Sequence, residues 1–240
     1  MDRLTNAEEL LDGPLDDPVA LAGNLRDLRR INRLLGGVRL SRLAIDRLLS
    51  AAPTNLDARP VSIIDVGTGA ADIPVALLAD ARRRNRRLDV VAVDARPEVL
   101  DAARAVRPAL ARVAGLELCV ADSRSLPFPD RAFDIAHASL LTHHMEPDEA
   151  VALLAEMARV ARLGIVVNDL DRKRIHWLGA WLIGHLFTRN PYTRRDGPLS
   201  VRRAYTRGEM RDLLARARLR PVGEFGGFVG HRYAFAAIRA

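Results

Sequence analysis

The chain is nearly devoid of cysteine and lysine. Among its 240 residues Cys119 is the only cysteine and Lys173 the only lysine. A single thiol excludes an internal disulfide and any cysteine-rich zinc site. Cys119 sits in the apolar run GLELCV and is expected to be an inert core residue on a buried strand. A reactive thiol would need an electropositive, partly open setting. No stretch approaches the ~18 to 20 uninterrupted apolar residues of a membrane span. The opening MDRLTNAEELLDGPLDD does not show a basic head followed by an apolar run, so no secretory signal is expected and a cytoplasmic protein is. Internal repeats and low-complexity linkers are likewise missing.

What is present suits one compact domain with a sizeable core, since 49% of residues are apolar. The net charge of +7 invites a nucleic-acid reading. However, nearly all of the positive charge is arginine, alongside abundant alanine, as a GC-rich coding bias would produce. The arginines are also dispersed, with local clusters only at 82–87 and 189–203. Nucleic-acid binding is therefore disfavoured.

Periodicity sets the organisation. Leu21, Leu25, Leu28, Ile31 and Leu35 share one helix face, ended by Gly36-Gly37, and a second helix spans 40–49. A turn-rich connection, 51–60, leads to alternating strands and helices. Strands are predicted at 61–66, 88–94, 116–122, 133–139 and 164–169, and helices at 72–84, 97–106 and 147–161. Apolar strands separated by helices specify parallel βαβ units, hence a doubly wound sheet covered on both faces. Ligands bind such sheets beyond the carboxyl ends of the strands. Those ends are Gly67, Asp94, Asp122, Ser139 and Asn168.

The most informative segment is Asp65-Val66-Gly67-Thr68-Gly69-Ala70-Ala71-Asp72. Its glycines permit a tight turn and close approach of a ligand to the backbone. A dinucleotide pyrophosphate needs a bare helix N-terminus, yet here the third small-residue slot holds the carboxylate Asp72. S-adenosylmethionine carries no phosphate; it has a sulfonium, an ammonium and a ribose diol, all of which suit acidic neighbours. Asp65 and Asp72 flank the loop, Asp94 is placed to accept bonds from ribose hydroxyls, and Asp122-Ser123 ends the third strand at adenine height. Any one of these aspartates is ordinarily a turn or cap residue. Their succession in register with the loop carries the argument.

These residues resemble the class I S-adenosylmethionine-dependent methyltransferases. Asp65, Gly67 and Gly69 match the acidic-x-Gly-x-Gly-x-Gly signature, with Ala71 in place of the third glycine. The likeness continues through VVAVDARPEVLDAAR and CVADSRSLPFPDRAFD, and is nearest to quinone-biosynthesis and phenolic O-methyltransferases. It implies a seven-stranded Rossmann-like sheet of order 3-2-1-4-5-7-6 with strand 7 antiparallel. It implies S-adenosyl-L-methionine as cofactor, with S-adenosyl-L-homocysteine as product. The cofactor-binding set is then Asp65, Gly67, Thr68, Gly69, Asp94, Ala95, Asp122, Ser123 and Ser139. A single domain over 1–240 is expected, divided into a helical N-terminal lid (1–55), a cofactor core (56–170), a lid insertion (171–204) and a closing helix with β-hairpin (205–240).

The methyl acceptor is expected beyond strands four and five. A phenol, with a pKa near 10, would gain about 10²- to 10⁴-fold from a base. His144 and His143 are the candidates, His144 being preferred, against the alternative that they pack on the cofactor or cap a helix. His137, within strand four, reads as a satisfied core residue. No metal is expected, because adjacent histidines rarely converge on one ion. Ile175, Leu178, Trp181, Leu182 and Leu186, with Trp177, Phe187 and Tyr192, suggest either a lid over an apolar pocket or a plain amphipathic helix. Arg30 or Arg33 is a candidate for the cofactor carboxylate, with surface solvation as the alternative. Thr206 and Glu209 form a capping box before a helix at 207–217.

The expected activity is methylation of a hydroxyl on a small aromatic, quinol or polyketide-like molecule. An RNA methyltransferase would require a basic groove and, for base amines, an Asn/Asp-Pro-Pro-aromatic motif where Ser139-Leu140-Leu141 stands. A non-enzymatic cofactor-binding module is the remaining alternative. A nicotinamide oxidoreductase is disfavoured by Asp72 and by the lack of a Tyr-x-x-x-Lys pair. Oligomeric state is open.

Overall fold

The strand-forming runs assemble around β1 (Val61–Val66), which takes a central place between β2 (Leu88–Asp94) and β4 (Phe133–Ser139). The sheet continues outward through β3 (Leu116–Val120) on one side and through β5 (Ala161–Leu170), β7 (Arg232–Arg239) and β6 (Leu219–Gly226) on the other. β1 to β5 pair in parallel, and β7 runs antiparallel to both β5 and β6. This is the order 3-2-1-4-5-7-6 that the motifs imply. The computed structural model describes residues 1–51, 59–227 and 229–240. Most of the turn-rich 51–60 connection, with the boundary drawn at residue 55, lies outside the described residues.

Helices cover both faces, which is why the central strands are apolar rather than alternating. On one face α2 (Gly37–Ser50) buries Leu40, Ile45 and Leu48 against the β4, β5 and β7 side of the sheet, and α3 (Asp72–Arg83) buries Ile73 and Leu77 against the β2 and β3 side. On the other, α5 (Pro147–Val160) and α8 (Arg207–Arg216) bury Leu153, Met157, Met210 and Leu214. The Thr206–Glu209 capping box forms as the sequence indicates. α1 (Pro18–Leu34) packs on α2 and on α4 (Pro97–Val106), closing over the carboxyl ends of the strands. Gly36, at φ 84°, makes the left-handed turn, and Gly37 opens α2 rather than ending α1.

Three expectations need correction. Cys119 is only half-buried, because β3 is an edge strand with a neighbour on one side. Residues 191–203 form a helix, α7 (Pro191–Arg203), that the apolar periodicity does not reveal. Its buried side includes Thr193, Asp196, Ser200 and Arg203, and it contains Pro198. Asn190 caps it by accepting from the Thr193 amide. Third, α6 (Arg174–Leu186) turns Leu178, Trp181, Leu182 and Leu186 outward, followed by exposed Phe187. Its inner face is Gly179, Ala180, Ile183 and Gly184. Small residues, not aromatics, face inward because α7 packs close behind Gly184.

The N-terminal segment is tied to α7, since Asp196 accepts from the amides of Leu10 and Leu11 at 2.9 and 3.3 Å. That contact fixes the short 3-10 turn Leu10–Asp12 beside the strand ends. Among the described residues no helix is long and apolar enough to cross a membrane.

Candidate functional site

The loop after β1 is built by its own aspartate. Thr68 Oγ1 donates to Asp65 Oδ2 at 2.6 Å, and the His137 ring engages Asp65 Oδ1 through Nδ1. Gly67 and Gly69 hold φ of 69° and 54°, where a β-carbon is disfavoured. Ala71, in the third glycine slot, also has a positive φ, 51°. The left-handed conformation costs an alanine about 1 kcal/mol, which is the physical reason that slot favours glycine. Over Gly69 an added β-carbon would meet nothing within 4 Å, so the backbone there is open to a ligand. The Gly69 amide donates to Asp94 Oδ2 at 3.0 Å and the Arg96 amide to Asp94 Oδ1 at 3.1 Å.

A cavity of about 1140 Å³ opens over this loop. Drug-sized ligands occupy roughly 300 to 1,000 Å³, so this space accommodates a nucleoside together with a second small molecule. Gly67, Thr68, Gly69, Asp94, Ala95, Asp122, Ser123 and Ser139 all line it, as do His143 and His144. Asp65 does not. Its two oxygens are engaged by Thr68 and His137, so it shapes the loop instead of facing a ligand. Asp122 is largely exposed and paired with Arg124 at 2.9 Å, which lowers its pKa.

Carboxylates around the loop are held uncomfortably. Burial pushes both Asp94 and Asp72 above the usual carboxylate range, and the charge of Asp65 adds to it. Asp72 receives one long bond from Asn32 Nδ2 at 3.4 Å, and its Oδ2 is buried without a hydrogen-bond partner among the described residues. A cationic ligand would relieve this repulsion, whereas a diphosphate would add to it.

Beneath the loop lies Arg232, fully buried at the head of β7 and missed by the sequence reading. It donates to Asn32 Oδ1 at 2.6 Å, to Ser139 Oγ at 3.0 Å and to Asn168 Oδ1 at 3.2 Å. Burial lowers its pKa to about 10, which leaves it charged at neutral pH. Its three protein acceptors are all neutral and it lines the cavity, so it is the cation best placed for a ligand carboxylate. Arg30 and Arg33, the sequence candidates, are exposed on α1, with Arg30 beside Asp27. A charged residue heading an otherwise apolar strand was the available signal. His137 is a satisfied core residue, its Nε2 meeting Ser41 Oγ at 2.7 Å.

The two histidines sit in a 3-10 turn, Thr142–His144, after β4. Asp169, at the end of β5, engages His143 Nδ1 at 2.7 Å and accepts from Thr142 Oγ1. Burial works against ionisation of Asp169, but His143 and Thr142 outweigh it and bring the pKa down to about 2. His144 Nδ1 meets Asp12 Oδ1 at 2.7 Å. Burial favours the neutral His144 ring, yet Glu9 and Asp12 outweigh that and raise its pKa to about 9. His144 is therefore charged at neutral pH and poorly suited to accept a proton. His143 presents its other ring nitrogen, Nε2, 3.7 Å from Glu9 Oε1.

Sequence comparison finds relatives of the same kind. Residues 63–164 match the family model for a methyltransferase domain. That match runs from β1 into β5, the part of the chain that carries the glycine loop, Asp94 and Asp122. An uncharacterized methyltransferase of Mycobacterium tuberculosis is 32% identical over 136 residues, which cover 56% of this chain and 48% of that protein. A demethylmenaquinone methyltransferase of Thermus thermophilus is 36% identical over 107 residues, 43% of each chain. The chain thus matches about half the length of these curated relatives. In fold it is similar to the crystal structure of a SAM-dependent methyltransferase from Aquifex aeolicus, with a TM-score of 0.60 and 18% identity over 92% of this chain and 97% of that one.

The features already described are chemically compatible with S-adenosylmethionine, the cofactor that the loop motif implies. The open backbone at Gly69 with Asp94, the unrelieved carboxylate Asp72 and the buried cation Arg232 are of the chemistry that a ribose diol, a positive sulfonium-amine and a carboxylate respectively require. α1, α6, α7 and the N-terminal turn enclose the remaining space, where Leu25, Leu28, Ile31, Leu141, Met145 and Ile183 form an apolar wall.

Proposed function

We propose that the chain transfers a methyl group from S-adenosylmethionine to a hydroxyl of a small aromatic or quinol-like molecule. The observation that carries this reading is one apolar-walled cavity shared by the Asp94–Gly69 cradle and the His143–Asp169 pair. The likeness to a demethylmenaquinone methyltransferase supports a quinol-type acceptor.

The cofactor supplies an electrophilic methyl group on a sulfonium. The domain's residues supply position and proton handling. Asp94 holds the ribose hydroxyls, Arg232 the carboxylate, and Ser123 and Ala95 flank the base. A phenolic hydroxyl with a pKa near 10 is mostly protonated at pH 7. Asp169, ionised, takes the Nδ1–H of His143 and leaves the lone pair on Nε2, the atom that receives the hydroxyl proton. His144, charged, donates to the developing oxyanion. The apolar wall excludes water and holds the ring in line, and orientation of this kind contributes up to about 7 to 11 kcal/mol.

Calorimetry with S-adenosylmethionine, S-adenosylhomocysteine and NAD tests the cofactor, and turnover on a panel of phenols and quinols tests the acceptor. Binding of the two sulfur nucleosides without NAD is expected. Binding of NAD alone would overturn the reading.

A further inference from the structure

Glu9 lies on the cavity wall opposite both imidazoles. His143 Nε2 is 3.7 Å from Glu9 Oε1, and His144 Nε2 is 3.9 Å from Glu9 Oε2. One ligand atom from each residue falls within 4.8 Å of the others. We propose that Glu9, His143 and His144 bind a divalent transition-metal ion of the zinc, iron or manganese kind. This rests on the proposed function only for the chemistry of the acceptor.

Adjacent side chains normally diverge, but the 3-10 turn brings the two rings to a centroid distance of 4.3 Å and a tilt of 32°. Both Nε2 edges then face the same carboxylate. Their far nitrogens are anchored separately, His143 Nδ1 on Asp169 and His144 Nδ1 on Asp12, each at 2.7 Å. Asp12 is held in turn by Arg203 Nη1 at 2.7 Å. Carboxylates on the outer ring nitrogens hold both Nδ1–H groups and leave Nε2 as the nitrogen that faces a metal, the usual support of a histidine ligand, and His144 gives up its Nε2 proton to solvent as the ion binds. Metal bonds of about 2.0 to 2.2 Å set neighbouring ligand atoms roughly 3 to 3.5 Å apart, so the Glu9–imidazole spacings of 3.7 and 3.9 Å need to close by a few tenths of an ångström, and the three ligand atoms, now within 4.8 Å of one another, draw together as the ion binds.

A second observation points the same way. Glu9 is 3% exposed, and its Oε1 is buried with no hydrogen-bond partner among the described residues, while Oε2 accepts from Ser200 Oγ at 2.8 Å. The nearest cation, Arg203 Nη1, stands 3.9 Å away and is committed to Asp12. Glu9, Asp12 and Asp169 against Arg203 and the charged His144 still leave an excess of negative charge, and a divalent ion that displaces the His144 proton would neutralise it. Two imidazoles and one carboxylate favour transition metals over magnesium and leave coordination positions facing the cavity. An acceptor with two neighbouring oxygens, such as a catechol, fits those positions. With the ion bound, both Nε2 lone pairs are occupied. A hydroxyl oxygen then binds the metal, its acidity rises, and its proton passes to solvent water.

The test is made on the full chain after chelator treatment, titrated with Co²⁺ by visible absorption and with Zn²⁺, Mn²⁺ and Mg²⁺ by calorimetry. One equivalent of Co²⁺ with ligand-field bands is expected, displaced by Zn²⁺ but not by millimolar Mg²⁺. Glu9→Gln and His144→Asn should each weaken binding at least tenfold with circular dichroism unchanged, and the exposed His185→Ala should bind as wild type. A wild-type chain without stoichiometric Co²⁺ binding, or Glu9→Gln and His144→Asn variants that both retain it, overturns the proposal. Cobalt binding without S-adenosylmethionine binding keeps the metal site and rejects the methyltransferase reading. Full turnover in chelator with no cobalt signal does the reverse.

Discussion

The two ends of the central sheet treat the same residue type in opposite ways. At the entry end Asp134, near the start of β4, is buried and satisfied by Arg59 at 2.6 and 2.7 Å, the Ser62 amide at 2.9 Å and Arg162 at 3.1 Å. Burial opposes its charge, but these partners outweigh it and bring its pKa down to about 2. At the exit end Asp94 has only two backbone amides and Asp72 one distant side-chain amide, and burial raises both. An acid that is fully partnered holds the fold together. An acid kept desolvated and under-partnered holds free energy available to a cationic ligand.

The largest effect that would break this comparison concerns proton handling at the exit end. His143→Ala is expected to lower turnover on the true acceptor by about 10²- to 10⁴-fold, and a drop under tenfold would remove His143 from the chemistry. Next comes Asp94→Ala, expected to weaken S-adenosylmethionine binding by about 1.5 to 3 kcal/mol while leaving the melting temperature of the free protein no lower. Equal affinity in calorimetry would reject the ribose role.

The entry end should answer inversely. Asp134→Asn is expected to cost about 2 kcal/mol in urea unfolding at pH 7 with cofactor affinity unchanged. Because the folded pKa of Asp134 is depressed, its contribution is present above the unfolded value near 3.8 and is lost as pH falls toward 2. Denaturation across pH 4 to 2 should therefore be less steep in the variant. Asp94, raised in the fold, carries the opposite sign: the free protein loses stability as pH rises from 3.8 through its folded pKa. Asp94→Asn should flatten that slope. The smallest effect is Thr206→Ala, which removes the α8 cap far from both ends and should cost about 1 kcal/mol without touching cofactor binding.

The legibility of the site followed the chain distance over which each part is built. The Gly67–Gly69 loop, Asp94 and the strand ends were readable because a βα turn is local and its φ requirements write themselves into glycine. Asp65 was assigned to the ligand because sequence cannot tell a carboxylate facing a cavity from one turned to Thr68 and His137. Arg232 went unread because its partners Asn32, Ser139 and Asn168 come from three distant segments. His144 was preferred over His143 for want of Glu9 and Asp12, whose carboxylates keep it charged. The aromatic stripe of α6 was read correctly as a helix face, but not as the outer one. α7 escaped because its buried side is polar.

The sequence alone determined the alternation of strands and helices and the glycine turn, since each follows from short-range periodicity and backbone sterics, while the order of the sheet was implied by the family resemblance. Only the tertiary structure decided which acids are satisfied, which histidine is held charged by neighbouring carboxylates and which face of α6 meets solvent. Those outcomes depend on burial and on charges brought together from opposite ends of the chain, such as Glu9 beside His144, and no local pattern encodes them.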